Sequence, residues 1–303
     1  MTGSVVARLR GEGAERPLVD PGLAGGLRDW LEDALAPSVA ALAPDAAPVR
    51  ISKETINQVL LCEAGHLARQ QTAPGVSVEL VRGALVDALF RQWVTVGRVA
   101  DPFEDALGAL AVDPGAAVAV EWVAALSANE RGALAEEVAA HAARIATDWP
   151  VPSPAWLART QERLSVPLAG GRVLLSGVVD LALGAPSTGR ASVCVVEVKS
   201  GRRRVEHRGD IHLYALLETL RSGAPPFRVG TYYSATGELD VEQVGRDVLV
   251  SALHRVLAGA ERIVALAAGA EAPRRPNPLC PGCPGLPRCE PGRRRVADRG
   301  ATS

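Results

Sequence analysis

The chain has 303 residues, enough for about two domains of ordinary size, with 48% apolar and 22% charged residues, a globular rather than a disordered composition. Its formal net charge of −1 excludes a polycation that coats nucleic acid, so any nucleic-acid site must be a local basic patch. The sequence shows no apolar run of membrane-spanning length and no basic segment leading into an apolar core at its start, so we expect a cytoplasmic protein with no membrane partner.

Residues 1–20 read as polar and loose. Residues 21–43 predict an amphipathic helix weakened by Gly and Pro, and residues 44–50 a Pro/Ala-rich linker. Ser52 is a good N-cap for a helix running through SKETINQVLLCEAGHLARQ. Residues 79–97 predict a second, strongly apolar helix, and residues 102–147 are all helical with a Gly/Pro break near 114. A Pro-rich connection spans Trp149 to Trp156. The pattern then alternates with a period near two over 161–184, punctuated by Gly170 and Gly171, which predicts a hairpin. SVCVVEVK (192–199) is apolar on both faces, as in a central strand. A helix over 206–221, two short strands turning at Gly237 within 227–242, and a long helix over 243–270 complete the regular part. The tail from 272 is rich in Pro, Arg and Cys. No glycine-rich phosphate loop of the ATPase type is present.

Charge falls where burial is expected. Asp180 ends the run VLLSGVVD, and Glu197 and Lys199 end SVCVVEVK, two apart and so on one face of their strand, with Cys194 on the other as a small buried apolar residue. Unpaired charges there would cost several kcal/mol, so something compensates them. One reading is a Glu–Lys or Asp–Lys ion pair. The other is a divalent cation held by Asp180 and Glu197, with hard oxygen ligands suited to Mg2+ or Mn2+, and with Lys199 assisting an attacking water or a phosphoryl charge. Only two of the 33 basic residues are lysines, Lys53 and Lys199. A lysine at 199 favours chemistry over a plain ion pair, because arginine does not give up its proton near neutral pH.

The five cysteines, Cys62, Cys194, Cys280, Cys283 and Cys289, are an odd number for a disulfide framework. The late three form C-x2-C-x5-C and need a fourth ligand, for which Cys62 is the candidate; a cluster or zinc would use all four. The run Gly201-Arg202-Arg203-Arg204-Val205-Glu206-His207-Arg208 follows Lys199 directly and is placed to meet phosphate. Aromatic residues make up 4% of the chain, which argues for backbone contact over base stacking.

The combination of Gly177-Val178-Val179-Asp180 with Glu197-Val198-Lys199 resembles the core of the PD-(D/E)XK nuclease superfamily in its RecB-like G-x-x-D form. The fold this implies is α/β: a restriction-endonuclease-like mixed sheet flanked by helices, with a helical insertion and a C-terminal cysteine staple. The resemblance implies that Asp180, Glu197 and the Val198 carbonyl bind the metal, Mg2+ or Mn2+, and that Lys199 is catalytic. The family's upstream Gly-x-x-x-His appears here as Gly83 to Asp87, so Asp87 is either a cation ligand or an i,i+4 partner of Arg91. Its Gln-x-x-x-Tyr appears as Asp210 to Tyr214, with Tyr214 either at the site or in the core. The segment leading to Cys62, with the late cysteine spacing, is similar to the iron–sulfur exonuclease group, which includes AddB-type nuclease domains and CRISPR-associated exonucleases. That likeness implies a structural [4Fe-4S] cluster on Cys62, Cys280, Cys283 and Cys289. It also implies a substrate of DNA, single-stranded and cut from an end, contacted by Arg202, Arg203, Arg204 and Arg208. Any unwinding would come from a helicase or other DNA-processing subunit. The rival expectation is a nuclease fold kept as a DNA-binding or scaffold subunit, supported by Asp87 and Asp210 in place of His and Gln. The expected organisation is an N-terminal helical extension (1–48), a cysteine helix and first active-site helix (49–97), a helical insertion (98–150), the nuclease core (151–270) and the cysteine tail (271–303).

Overall fold

Apolar strands with turn residues between them pair into a six-stranded mixed sheet in this computed structural model, which describes residues 4–11, 13–73, 75–187 and 189–300. The strands are β1 (Val49–Ile51), β2 (Arg159–Leu168), β3 (Val173–Leu183), β4 (Cys194–Lys199), β5 (Arg228–Tyr233) and β6 (Glu238–Gln243). The order is β1-β3-β4-β5-β6, with β2 also on β3. β2 and β3 form the hairpin expected at Gly170 and Gly171, both at positive φ (+61° and +84°). β4 and β5 run parallel, and β4 is the buried central strand its composition predicts.

A strand has two hydrogen-bonding edges, and β3 uses them unequally. Along one edge β2 pairs from Val173 to Ala182. The other edge is shared: β1 pairs only with Val173, Leu174 and Leu175, and β4 only with Leu181, Ala182 and Leu183. Residues 176–180 therefore have no strand on that side. This gap holds the site described below.

The helices are α1 (Val5–Arg10), α2 (Leu23–Ala40), α3 (Lys53–Leu61), α4 (Glu63–Gln70), α5 (Val78–Val96), α6 (Pro102–Ala111), α7 (Ala117–Ala124), α8 (Ala128–Asp148), α9 (Glu206–Ser222), α10 (Arg246–Ala267) and α11 (Glu290–Gly300). One sheet face packs on α2, α3, α9 and α10 through residues such as Leu31, Ile56, Leu216 and Leu253. The other packs on α1, α5 and α8 through Leu9, Phe90 and Ile145, with Trp149 set edge-on to Phe90. α5 has a further apolar side that closes a separate core with α6, α7 and α8 (Leu85, Phe103, Val123, Val138). No single helix among the described residues is long and apolar enough to cross a membrane.

Three local expectations change. Residues 5–10 are helical, not loose: Val5, Val6 and Leu9 form a buried stripe, and Gly11 ends the helix at φ +55°; residues 1–3 lie outside the described residues. The linker ends in β1 at Val49–Ile51, because these residues complete the start of the β3 edge. The helix from Ser52 breaks at Cys62, whose extended backbone (φ −165°, ψ 113°) closes α3 and caps α4.

Candidate active site

The short step from β1 into α3 places the first site residue. Ser52 caps α3 with a reciprocal box: its backbone N–H donates to Thr55 Oγ1 (2.8 Å), and its own Oγ accepts the Thr55 N–H. Lys53, the first residue of α3, is thereby fixed beside the gap in the β3 edge. Its Nζ lies 2.5 Å from Glu197 Oε1. Lys199 Nζ lies 2.6 Å from the same oxygen. The chain's two lysines thus converge on one carboxylate oxygen.

Glu197 is 2% exposed. Burial opposes its charge, but the Lys53 and Lys199 ammoniums outweigh that and hold the carboxyl below its usual value. Burial likewise disfavours the Lys53 charge, and Glu197 reverses the balance, so the ammonium is held well above its ordinary range. Glu197 Oε2 is buried and has no hydrogen-bond partner. Such an orphaned acceptor is costly unless something else fills its place.

Asp180 sits where β3 and β4 separate. Ladder pairing stops at Leu181–Val196, and one residue on the Asp180 carboxylate takes the place of a strand carbonyl: the Val198 N–H donates to Asp180 Oδ2 (2.7 Å). Burial, then the charges of Glu197 and Asp87, push the Asp180 carboxyl well above its ordinary range. Asp87 comes from the middle of α5. Burial raises it too, with Arg91 (Nε to Oδ2, 3.4 Å) working the other way. Gln161 joins the two aspartates: its Nε2 donates to Asp87 (3.1 and 3.3 Å) and reaches Asp180 at 3.5 Å. Gln161 lies between the pairs Thr160–Leu181 and Glu162–Val179, and its backbone is left-handed (φ +52°), an unusual conformation for a residue with a side chain.

Tyr214, on α9, is buried with its ring 5.1 Å below Lys53 Nζ. Gly177 makes room for it, since a Cβ there would lie 2.5 Å from Tyr214 Cε1. Asp210, one turn earlier, accepts from Asn57 Nδ2 on α3 (2.9 Å), and Asn57 in turn accepts from Arg255. That aspartate is a junction between α3, α9 and α10, so its charge has a partner within the fold.

The structure thus brings together Asp87, Asp180, Glu197, Val198 and Lys199, with Tyr214 beneath Lys53. The ion pairs weighed from sequence, Glu197–Lys199 and Asp87–Arg91, are both present. Val198 meets the site through its N–H. Lys53 and Gln161 were not singled out as site residues. Lys53 had a signal in the scarcity of lysine, while Gln161, in the middle of an alternating run, had none. Of the basic run, Arg208 makes a two-point pair with Glu242 (3.0 and 2.7 Å) and Arg203 pairs with Asp240 (2.8 Å). Arg202 and Arg204 are exposed.

Asp87, Asp180 and the free oxygen of Glu197 are the hard donors a Mg2+ or Mn2+ ion takes. The orphaned Oε2 is the observation that fits this group. Among the described residues no three such side chains already close on a point; Gln161 bridges the two aspartates, and the lysines share one oxygen of Glu197.

At the other end of α3, Cys62, Cys280, Cys283 and Cys289 line one cavity of about 410 Å3, with Arg69, Arg274, Arg275 and Arg288 around it. All four thiols are free. The N–H groups of Gly65 and Arg275 donate to Cys62 Sγ (each 3.4 Å) and that of Asn277 to Cys280 Sγ (3.2 Å). A Cβ on Gly292 would lie 3.1 Å from Cys289 Sγ. Cys194 is elsewhere, buried and donating to the Leu9 carbonyl (3.3 Å).

A family model of the PD-(D/E)XK nuclease superfamily matches residues 50–290, a span that holds every residue of this site. The chain belongs to the PD-(D/E)XK nuclease superfamily. Among solved structures, a protein described as "Putative exonuclease" from Eubacterium rectale is 15% identical with a TM-score of 0.51, over 81% of this chain and 88% of that one. At that identity the likeness speaks to the fold. The structure of SSO0001 is 14% identical with a TM-score of 0.33, over 78% and 95% of the two chains. A search of curated protein sequences finds no match.

Proposed function

We propose that this PD-(D/E)XK superfamily member is a metal-dependent exodeoxyribonuclease of the RecB-like iron–sulfur group, acting on single-stranded DNA ends. The observation that carries the reading is Glu197: buried, ionised by two lysines, and left with one oxygen that nothing satisfies. Asp180, Asp87 and Glu197 Oε2 would hold Mg2+ or Mn2+, with the Val198 backbone beside them. When bound, the cation supplies Lewis-acid charge at the scissile phosphate and favours deprotonation of the attacking water. Lys199 stands at the open end of β4, partly exposed, where its ammonium orients that water and meets the charge that grows on the phosphoryl oxygens. Lys53 keeps Glu197 charged and placed when Lys199 turns to the substrate. Tyr214 supports Lys53 from below. Arg202 and Arg204 carry the backbone contacts assigned to the basic run, while Arg203 and Arg208 engage Asp240 and Glu242.

The four cysteines line one cavity of about 410 Å3, and four thiolates are the ligand set that a [4Fe-4S] cluster takes. Backbone N–H groups aimed at sulfur and surrounding arginines would offset the negative charge of thiolate ligands.

The decisive test is cleavage of end-labelled single-stranded DNA by anaerobically purified protein with Mg2+, with Mn2+ and with EDTA, beside Glu197→Gln and Lys199→Ala. Metal-dependent shortening from an end, lost in both variants, is expected. DNA binding without cleavage under either cation would assign the chain to the scaffold role instead.

A further inference from the structure

The unpaired stretch of β3 opens a cleft of about 300 Å3 against Asp180, walled by Ser52 and Lys53 from the β1–α3 step, Ser176 and Val178 from β3, and Arg163 from β2. Nothing assigned above uses Arg163. It is exposed in the middle of β2, opposite Val178, and pairs with no carboxylate among the described residues. Nearby arginines are committed: Arg159 on the same strand to Glu162, and Arg221 on α9 to Glu162 and Glu218. Lys53, on the opposite wall, is engaged by Glu197 (2.5 Å) with Glu54 Oε1 at 3.8 Å, which leaves Arg163 as the uncommitted cation of the cleft. The acidic groups at this cleft are Asp180, which faces the cation position, and exposed Glu54, which is bonded to Ser52 Oγ (2.8 Å).

We infer that this cleft is a second phosphate site, holding the phosphodiester that flanks the scissile one, with Arg163 as its charged donor. The inference rests on the nuclease reading and extends it, because a site at the scissile bond alone would leave the strand unregistered. The backbone would lie along the open β3 edge, a place where no strand competes for room. The hydroxyls of Ser52 and Ser176 line the same trough. Recognition is by phosphate, hence without sequence preference. Such a contact differs from the Arg203 and Arg208 pairs, in which a phosphate would have to displace a carboxylate already bonded.

The test measures binding of a fluorescein-labelled oligothymidylate of ~20 nucleotides to the full, cluster-intact protein in EDTA, by anisotropy across a KCl series, with cleavage kinetics in Mn2+ alongside. Arg163→Gln is expected to weaken binding roughly threefold to tenfold and to flatten the slope of log K against log salt by about 0.7, the loss of one phosphate contact on a single strand. Arg163→Lys should restore most of the slope, and Arg163→Glu should weaken binding further than Arg163→Gln. In Mn2+ the loss should fall on KM with kcat retained. Unchanged affinity and slope in Arg163→Gln, while the wild type binds and cleaves, overturns the phosphate site and leaves the nuclease reading standing. Wild-type binding that depends on Arg163 without any cleavage keeps the phosphate site and removes the enzyme. Absence of wild-type binding in EDTA overturns the phosphate site, and absence of cleavage in Mn2+ as well removes the nuclease reading with it.

Discussion

Two ammonium groups on one carboxylate oxygen repel each other, and the arrangement persists here because Glu197 is buried between them. Each lysine makes the other dispensable for keeping the carboxylate charged. In the proposed mechanism Lys199 would turn to the phosphate without stranding a buried anion. Lys53→Met keeps the apolar stem and removes only this charge. It should fold and lower kcat at least ~10-fold with KM for DNA moving by about twofold or less, and Lys53→Arg should recover part of the loss; steady-state and single-turnover cleavage decide it. Asp180 carries the opposite tension. Burial and the charges of Glu197 and Asp87 raise its carboxyl in the folded chain. A carboxyl raised on folding costs stability as pH climbs from its unfolded value, near 3.9, toward its folded one, because the unfolded chain ionises first. Asp180→Asn removes that cost and keeps an oxygen for the Val198 N–H. Without cations, at pH ~8, it should melt above the wild type, and the gap should shrink by pH ~4. A variant no more stable than the wild type in that EDTA melt would show that Asp180 is not held against its charge.

The β3 ribbon is where local rules and their exceptions meet. Gly177 reads in the sequence as part of a G-x-x-D motif, and its physical reason is Tyr214 on α9, whose ring edge sits where a Cβ would be. Gly177→Ala should therefore destabilise the chain by about 2–3 kcal/mol, as an overpacked core does. Paired with Tyr214→Leu it should cost less than the sum of the two single changes, measured by urea unfolding. Much of the sheet was readable because composition suffices for it: SVCVVEVK is apolar on both faces, and Gly170-Gly171 fits the positive φ of the turn. The missed parts depend on distant partners. Val49–Ile51 is a strand only because Val173–Leu175 lies beside it. The first helix forms because Leu9 finds a pocket against the sheet. Cys62 breaks a periodic run because its sulfur side is drawn to the 273–275 segment, where the Ala64 N–H reaches the Pro273 carbonyl (3.2 Å). Asp180, Glu197 and Lys199 were visible as charges in apolar strands. Gln161 was not, because its position follows from a left-handed backbone that no residue type announces.

Across the whole molecule, the two ends of the matched region meet at the cysteines. Residues 268–289 contain only short turns, and few direct bonds hold them to α4: Arg275 pairs with Glu63 (3.1 Å), and its N–H reaches Cys62 Sγ. With the Ala64 N–H bond to the Pro273 carbonyl (3.2 Å), these are the direct polar ties of a segment with scant apolar cover of its own. A cluster bonded to Cys62 and to the three late cysteines would close a loop of roughly 220 residues, a cross-link worth on the order of 5 kcal/mol by chain entropy. It would also fix the start of α3, since Lys53 and Cys62 are the two ends of one short helix. The same helix then carries order from the cysteine cavity to the Glu197 pair. Stripping the cluster by oxidation with a chelator should lower the melting temperature by roughly 10 °C. It should also open Arg274 and Arg275 to trypsin, while the β2–β3 hairpin and its α9 packing stay protected. Cys62→Ala should behave as the stripped protein does from the outset, with iron content falling in parallel. If the stripped and loaded proteins melt together and trypsin leaves the 274–275 bond intact in both, the tail is held by its direct contacts, and the four cysteines are not the staple of this fold.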